Sequence, residues 1–189
     1  VLAESSHDTR GPCTATWGRA KVAREGGVAS EKMAGCLDAI TACSGHLLEL
    51  ISDVLDMSRI ERGQMELQER RFDIDDVVGG VEAIIRPQAQ AKSQELRIDR
   101  SKMKHKAFSG DELRISQLLL NLASNAVKYT QENGKSVVRL EAEDSHFRLS
   151  VFNSGSYIST TEVEVIFERF YQVDGHQAGT GIGLALVRA

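Results

Sequence analysis

With 189 residues, 41% of them apolar and 26% charged, the chain has room for one or two domains and the composition of an ordinary globular protein, not of a disordered or fibrous one. Its formal charge of −4 comes from 23 Lys and Arg scattered among 27 Asp and Glu, so it offers no basic stripe of the kind that binds nucleic acid. No apolar run reaches the ~18 residues of a membrane-spanning helix and the start carries no signal-peptide pattern; Cys13, Cys36 and Cys43, odd in number and without metal-ligand spacing, read as reduced helix-packing residues of a cytosolic protein.

Only Pro12 and Pro87 punctuate the chain, which predicts long helices. Residues 1 to about 24 read as a helix, interrupted at Gly26-Gly27 and restarted near Ser30-Glu31. In the second helix Leu37, Ile40, Cys43 or Ser44, Leu47 with Leu48, Ile51, Val54 with Leu55, and Ser58 recur every three to four residues up to about Glu61. That is a narrow apolar stripe. Two such helices joined by a short turn form an αα-hairpin that cannot bury both stripes alone, so pairing with a second copy into a four-helix bundle is expected. The pattern changes after Gly63, which divides the chain into a helical hairpin over 1–64 and a second unit over 65–189. In that unit residues 73–91 are helical, with Val77, Val78, Val81, Ile84 and Ile85 on the apolar face, and residues 95–99 alternate as a strand. A helix follows over about 111–129, then two strands over 136–141 and 147–152, and a short helix over about 161–167. Helices on a mixed sheet make this unit α+β.

The stretch Gly179-Thr180-Gly181-Ile182-Gly183-Leu184 precedes a helical pattern over 184–187, so backbone N–H groups can approach a phosphate there. Upstream, Asn121 and Asn125 lie one helical turn apart on one face, each with an amide oxygen suited to Mg²⁺. Either feature alone is weak, since glycine runs close many turns and helical asparagines are usually solvated or capping. Their order and spacing point to a nucleotide pocket. A second cluster is Ser6-His7-Asp8-Thr9-Arg10-Gly11-Pro12. A histidine on a solvated helix face beside a carboxylate that can orient its ring is a nucleophile candidate, and Pro12 should kink the helix beside it by pushing on the Asp8 carbonyl. By itself such a pair is an ordinary surface feature. His46, His105, His146 and His176 are read as structural or surface positions.

His7-Asp8-x-Arg10-x-Pro12 resembles the phosphoacceptor box of two-component sensor histidine kinases. "SGHLLELISDVLDMSRIERGQMEL" looks like that family's second dimerisation helix, "DELRISQLLLNLASNAVKYT" is similar to its asparagine box, "IFERFYQVD" to its phenylalanine box and "GTGIGLALV" to its second glycine box, all in the family's order. The resemblance implies a dimerisation and histidine-phosphotransfer hairpin followed by an ATP-binding α+β sandwich of the Bergerat type. It further implies that a neutral nitrogen of His7 attacks the γ-phosphorus of ATP while Asp8 accepts a hydrogen bond from the other ring nitrogen. Asn125, with Asn121 nearby, would hold Mg²⁺ against the triphosphate, and Lys128, beside Tyr129, would contact phosphate as a point charge. Backbone amides of Gly181 and Gly183, within the run Gly179, Thr180 and Leu184, would cradle the phosphates, and Asn153 with Gly155 would meet the adenine. The implied partners are a second copy of the chain and a separate receiver domain whose aspartate takes the phosphoryl group. Nucleic acid is not among them, and a membrane enters only through other parts of a cytoplasmic or membrane-anchored parent protein.

The chain also departs from the family pattern. Where the first glycine box usually reads Asp-x-Gly-x-Gly, this chain has Asn153-Ser154-Gly155-Ser156-Tyr157-Ile158. An Asn oxygen accepts the adenine amino group without charge assistance, which lowers the expected affinity, and Tyr157 stands where a tight turn usually has glycine. Gly11 replaces the Thr or Asn associated with dephosphorylation of the receiver, so weak phosphatase activity is expected. The loop between Phe170 and Gly179 has no Lys or Arg, leaving Lys128 or Arg10 to supply any cation at the γ-phosphate; Phe167 and Phe170 read as hinge and packing residues. Both ends look cut, six residues before His7 and in the helix after the glycine box. Beside the kinase stand two rival readings: a degenerate, non-catalytic dimerisation and signalling module, and another Bergerat-type ATPase, against which the His7 box argues.

Overall fold

A computed structural model describes residues 30–142, 146–155, 157–172 and 180–189, and the predicted first helix, the Gly26-Gly27 turn and His7 lie outside them. The described residues fall into two compact units. One takes in the residues up to Met65 with Glu168–Ile182 and Ala189; the other takes in Glu66–Phe167 and Gly183–Arg188.

The first unit is dominated by α1 (Ser30–Glu61), a helix of 32 residues. Its end follows from Gly63, whose φ of +62° places it in the left-handed region where glycine carries no Cβ penalty. The Gly63 N–H donates to Ile60 O at 2.9 Å and the Gln64 N–H to Arg59 O at 2.9 Å, the pair of bonds that closes a Schellman terminus. Leu50 is buried, whereas Leu37, Leu48, Ile51, Val54 and Leu55 from the predicted stripe are exposed. In the same unit Arg169 forms an ion pair with Glu61, the last residue of α1.

The second unit lays two helices on a sheet. α2 (Ile74–Ala91) starts at an N-cap, Asp73, whose carboxylate accepts from the Asp75 N–H, and buries Val77, Val78, Val81, Ile85 and Ala89. α3 (Glu112–Tyr129) starts at Asp111, which accepts from the Arg114 N–H, and buries Leu119, Ala123, Ala126 and Val127. The sheet is β2 (Glu95–Lys102), β4 (Lys135–Ala142) and β5 (Phe147–Asn153), in the order β2-β4-β5. β2 and β4 run parallel because a whole crossover, including α3, lies between them, and β4 and β5 form an antiparallel pair. On β4 Ser136, Val138 and Leu140 are buried; Val138 and Leu140 join the core with the apolar helix residues and with Leu96, Ile98, Leu149 and Val151. Arg100 bridges Asp75 at 3.0 Å and Glu82 at 3.2 Å, and Lys106 meets Asp75 at 2.6 Å, tying the start of α2 to β2 and its following loop. The Lys106 ammonium, with Arg100, holds the Asp75 carboxyl below its usual range.

The expected α+β unit after a long helix is present, with differences of detail. A second sheet of β1 (Arg70–Asp73) and β3 (Ala107–Gly110) had no sequence signal. Arg-Arg-Phe-Asp holds one apolar residue and no alternation, and the strand exists because Phe72 sits opposite Phe108, their ring centroids 6.4 Å apart. β2 runs three residues past the expected end, its Lys102 pairing with Glu141 after a register shift. The short helix expected over 161–167 is α4 (Thr160–Val165), stopping two residues early, with a full capping box between Ser159 and Glu162. The last element, α5 (Gly183–Arg188), begins at the glycine expected to precede it.

Candidate functional site

The site is built on α3. Its N-terminus is fixed by Asp111, which accepts from the Arg114 N–H at 3.1 Å and from the Gln68 N–H at 3.0 Å. Those two backbone donors, the Gln68 one first, hold the Asp111 carboxyl below its ordinary range. The buried residues Leu119, Ala123, Ala126 and Val127 dictate which face turns inward. That leaves Asn121 and Asn125 half-buried, on one face because they are four residues apart. Asn121 Nδ2 donates to the Gly183 carbonyl at 3.3 Å, and a Cβ built on Gly183 would lie 3.4 Å from Asn121 Cγ. The asparagine helix and the start of α5 are thus in direct contact. At the other end of the face Lys128 Nζ donates to the Tyr129 hydroxyl at 3.2 Å and lies 4.7 Å from its ring centroid, so the ammonium is oriented by its neighbour.

The glycine run is held by its own backbone. Gly181 has φ +66°, and a Cβ there would come within 2.7 Å of the Phe170 backbone. The Phe170 N–H donates to Gly181 O at 2.9 Å, and Phe170 itself adopts φ +61°. Phe170 and Gly181 are thereby clasped to each other, and Thr180 Oγ1 accepts from the Ile182 N–H at 3.1 Å. Leu184 is half-buried in the first turn of α5. The altered glycine box forms the end of β5. Asn153, half-buried, pairs with Ser136, and the Lys135 N–H donates to Ser154 Oγ at 2.8 Å while the Ser154 N–H donates to Lys135 O at 2.9 Å. Gly155 then turns with φ +93°, and Tyr157 projects into solvent.

The structure therefore joins Asn121 to Gly183, puts Asn125 and Lys128 on the same helix, and closes Phe170 on Gly181. His7, Asp8, Arg10 and Gly179 lie outside the described residues. Phe167 is half-buried and, with Val163, Glu164, Val187 and Arg188, lines an open groove of about 590 Å³ between α4 and α5 that holds none of the expected nucleotide contacts. Among the described residues no group of three or more His, Cys, Asp or Glu is placed to hold a metal ion, and no helix is long and apolar enough to cross a membrane. Two residues that nothing in the sequence singles out, Lys92 and Gln94, donate to carbonyls at the end of α3. They stand more than thirty positions before those acceptors, beyond any local pattern.

Residues 1–63 match the His Kinase A (phospho-acceptor) domain, and residues 110–189 match the histidine kinase-, DNA gyrase B- and HSP90-like ATPase. The chain is 35% identical to the histidine protein kinase DivJ of Caulobacter vibrioides over 195 residues, which cover 100% of this chain and 32% of that protein. It belongs to the two-component sensor histidine kinases. Full-length ShkA in complex with AMPPNP has a similar structure, with a TM-score of 0.72 and 32% identity over 98% of this chain and 39% of ShkA. The histidine kinase AdeS of Acinetobacter baumannii superposes with a TM-score of 0.68 at 25% identity, over 96% of this chain and 83% of AdeS. The chain spans about a third or less of the length of the curated relatives it matches. Within this chain the phosphoacceptor match takes in α1 and the His7 box, and the ATPase match takes in α3, β5 and the glycine run.

Proposed function

We propose that this histidine kinase core transfers the γ-phosphoryl group of Mg-ATP to His7 and then to an aspartate on a separate receiver domain. The supporting observation is the Asn121–Gly183 hydrogen bond of 3.3 Å, which joins the asparagine helix to the last glycine of the run, residues from the two sequence features suited to a nucleotide. The core would divide into a dimerisation and phosphotransfer hairpin over 1–64 and an ATP-binding unit over 65–189. It would act in the cytoplasm.

In the proposed reaction an unprotonated ring nitrogen of His7 forms a bond to the γ-phosphorus as the bond to the β-phosphate oxygen breaks, and ADP leaves with that electron pair. Asp8 accepts a hydrogen bond from the other ring N–H and stabilises the imidazolium that develops. The half-buried Asn125 amide offers the hard oxygen donor that Mg²⁺ prefers; the ion, when bound, neutralises triphosphate charge. Lys128 adds a point charge whose direction Tyr129 sets. Asn153 accepts from the adenine amino group, and the amides of Gly181 and Gly183 face the phosphates. The exposed Leu48, Ile51 and Leu55 of α1 would pair with a second copy.

Incubation with γ-labelled ATP tests the reading. Acid-labile phosphate on the wild-type chain, absent from His7→Gln and from Asn125→Ala, is the expected result. A folded dimer that neither binds Mg-ATP nor takes up label would return the chain to the non-catalytic signalling reading.

A further inference from the structure

An α-helix leaves its last carbonyls without partners inside the helix. At the end of α3 they receive side chains from the loop between α2 and β2. Lys92 Nζ donates to Val127 O at 3.1 Å and Lys128 O at 2.9 Å. Gln94 Nε2 donates to Val127 O at 3.0 Å and Thr130 O at 2.7 Å, with Gln131 O at 3.4 Å. A cation at a helix C-terminus also complements the helix dipole. The two loops are bound backbone to backbone as well: the Asn133 N–H donates to Lys92 O at 3.2 Å and the Glu95 N–H to Gly134 O at 2.9 Å. Ser93 and Asn133, one in each loop, take φ values of +53° and +60°, conformations that persist in residues other than glycine only where their surroundings over-determine them.

Gln94 is a costly residue for that position. It is buried, and its Oε1 has no hydrogen-bond partner among the described residues, so an apolar side chain of the same size would avoid a buried unpaired oxygen. What Gln94 supplies and an apolar residue could not is the pair of donors aimed at the end of α3. We infer that Lys92 and Gln94 are positioning residues for the nucleotide site, fixing the last turn of α3 and through it Lys128 and Tyr129. The inference rests on the kinase reading, in which Lys128 meets phosphate. The face bearing Asn121, Asn125 and Lys128 is then pinned at both ends, by Gly183 on Asn121 and by Lys92 on the carbonyl of Lys128 itself.

The test compares wild type, Lys92→Met, Lys92→Arg and Gln94→Met as full chains, each shown to be folded by circular dichroism. Mg-ATP affinity is read by calorimetry, and KM and kcat by autophosphorylation. Lys92→Met keeps the stem and removes the donors. It should raise the Kd and KM for Mg-ATP about tenfold, the scale of losing an outer-shell bond that orients a contact group. kcat should change less than about twofold, since phosphate binding common to ground and transition states is what is lost. Lys92→Arg should restore KM, and Gln94→Met should raise it in the same way even if Lys92→Met does not fold. A purely structural role would lower the melting temperature and the active fraction while leaving KM alone, and that result overturns the inference. A wild-type chain that binds no Mg-ATP overturns the kinase reading and this inference with it. Wild-type affinity in both Met variants overturns the positioning role alone.

Discussion

Gly181 and Asn153 show how a single side chain can govern the proposed pocket. A methyl group on Gly181 would meet the Phe170 backbone at 2.7 Å and would have to hold φ +66°. Gly181→Ala is therefore expected to cost about 1–3 kcal/mol at the base of the loop. A lowered melting temperature together with weaker Mg-ATP binding checks this; unchanged values for both would count against the clasp. At Asn153 the opposite change is expected to help. Asn153→Asp turns a neutral acceptor into a charge-assisted one, so Mg-ATP should bind about fivefold tighter, roughly 1 kcal/mol. Titration calorimetry decides it, and equal or weaker binding would mean that Asn153 does not meet the adenine amino group.

At the level of elements, α3 matters most, because its N-cap sets where its asparagines fall. Asp111 accepts from Arg114 N and Gln68 N, so Asp111→Ala should cost about 1 kcal/mol, measured by urea unfolding. The same bonds lower the folded-state carboxyl pKa, the Gln68 bond most. A carboxyl lowered on folding stabilises the protein above its unfolded pKa, about 3.9, and that contribution is lost as pH falls through the lower folded value. Unfolding free energy should thus hold near neutral pH and fall below about pH 4, and the fall should be shallower in Asp111→Asn. An equally steep fall in that variant would assign the acid sensitivity elsewhere. The helices α1, α2 and α3 and the strands β4 and β5 were legible because their apolar residues recur with helical or alternating period. β1 and the last residues of β2 were not: Arg70 to Asp73 and Arg100 to Lys102 are mostly polar, and only pairing with β3 and β4 makes them strands.

For the whole molecule the decisive feature is the exposed stripe of α1. Leu48 and Leu55 are 68% and 54% exposed, and burying each against a second copy would contribute about 1.5–3 kcal/mol. Leu48→Glu combined with Leu55→Glu should convert the proposed dimer to a monomer in sedimentation experiments while leaving the second unit folded. A double variant that sediments as wild type would place the dimer contact elsewhere.

Read alone, the sequence determined the family, a long helix followed by an α+β unit, and the residue types proposed for the pocket, because periodicity and short motifs are local properties of a chain. It singled out Asn121 and Gly183 as members of separate motifs, but nothing local could say that an amide of one reaches the carbonyl of the other at 3.3 Å. Nor could it link Phe170 to Gly181, or find Lys92 and Gln94 at the end of a helix more than thirty residues further on. The contacts of Asn121, Lys92 and Gln94 are decided where α2, α3 and the sheet bury their apolar faces together. Packing sets the separation of the loops at their ends, and only then do single donors and acceptors come within hydrogen-bonding distance.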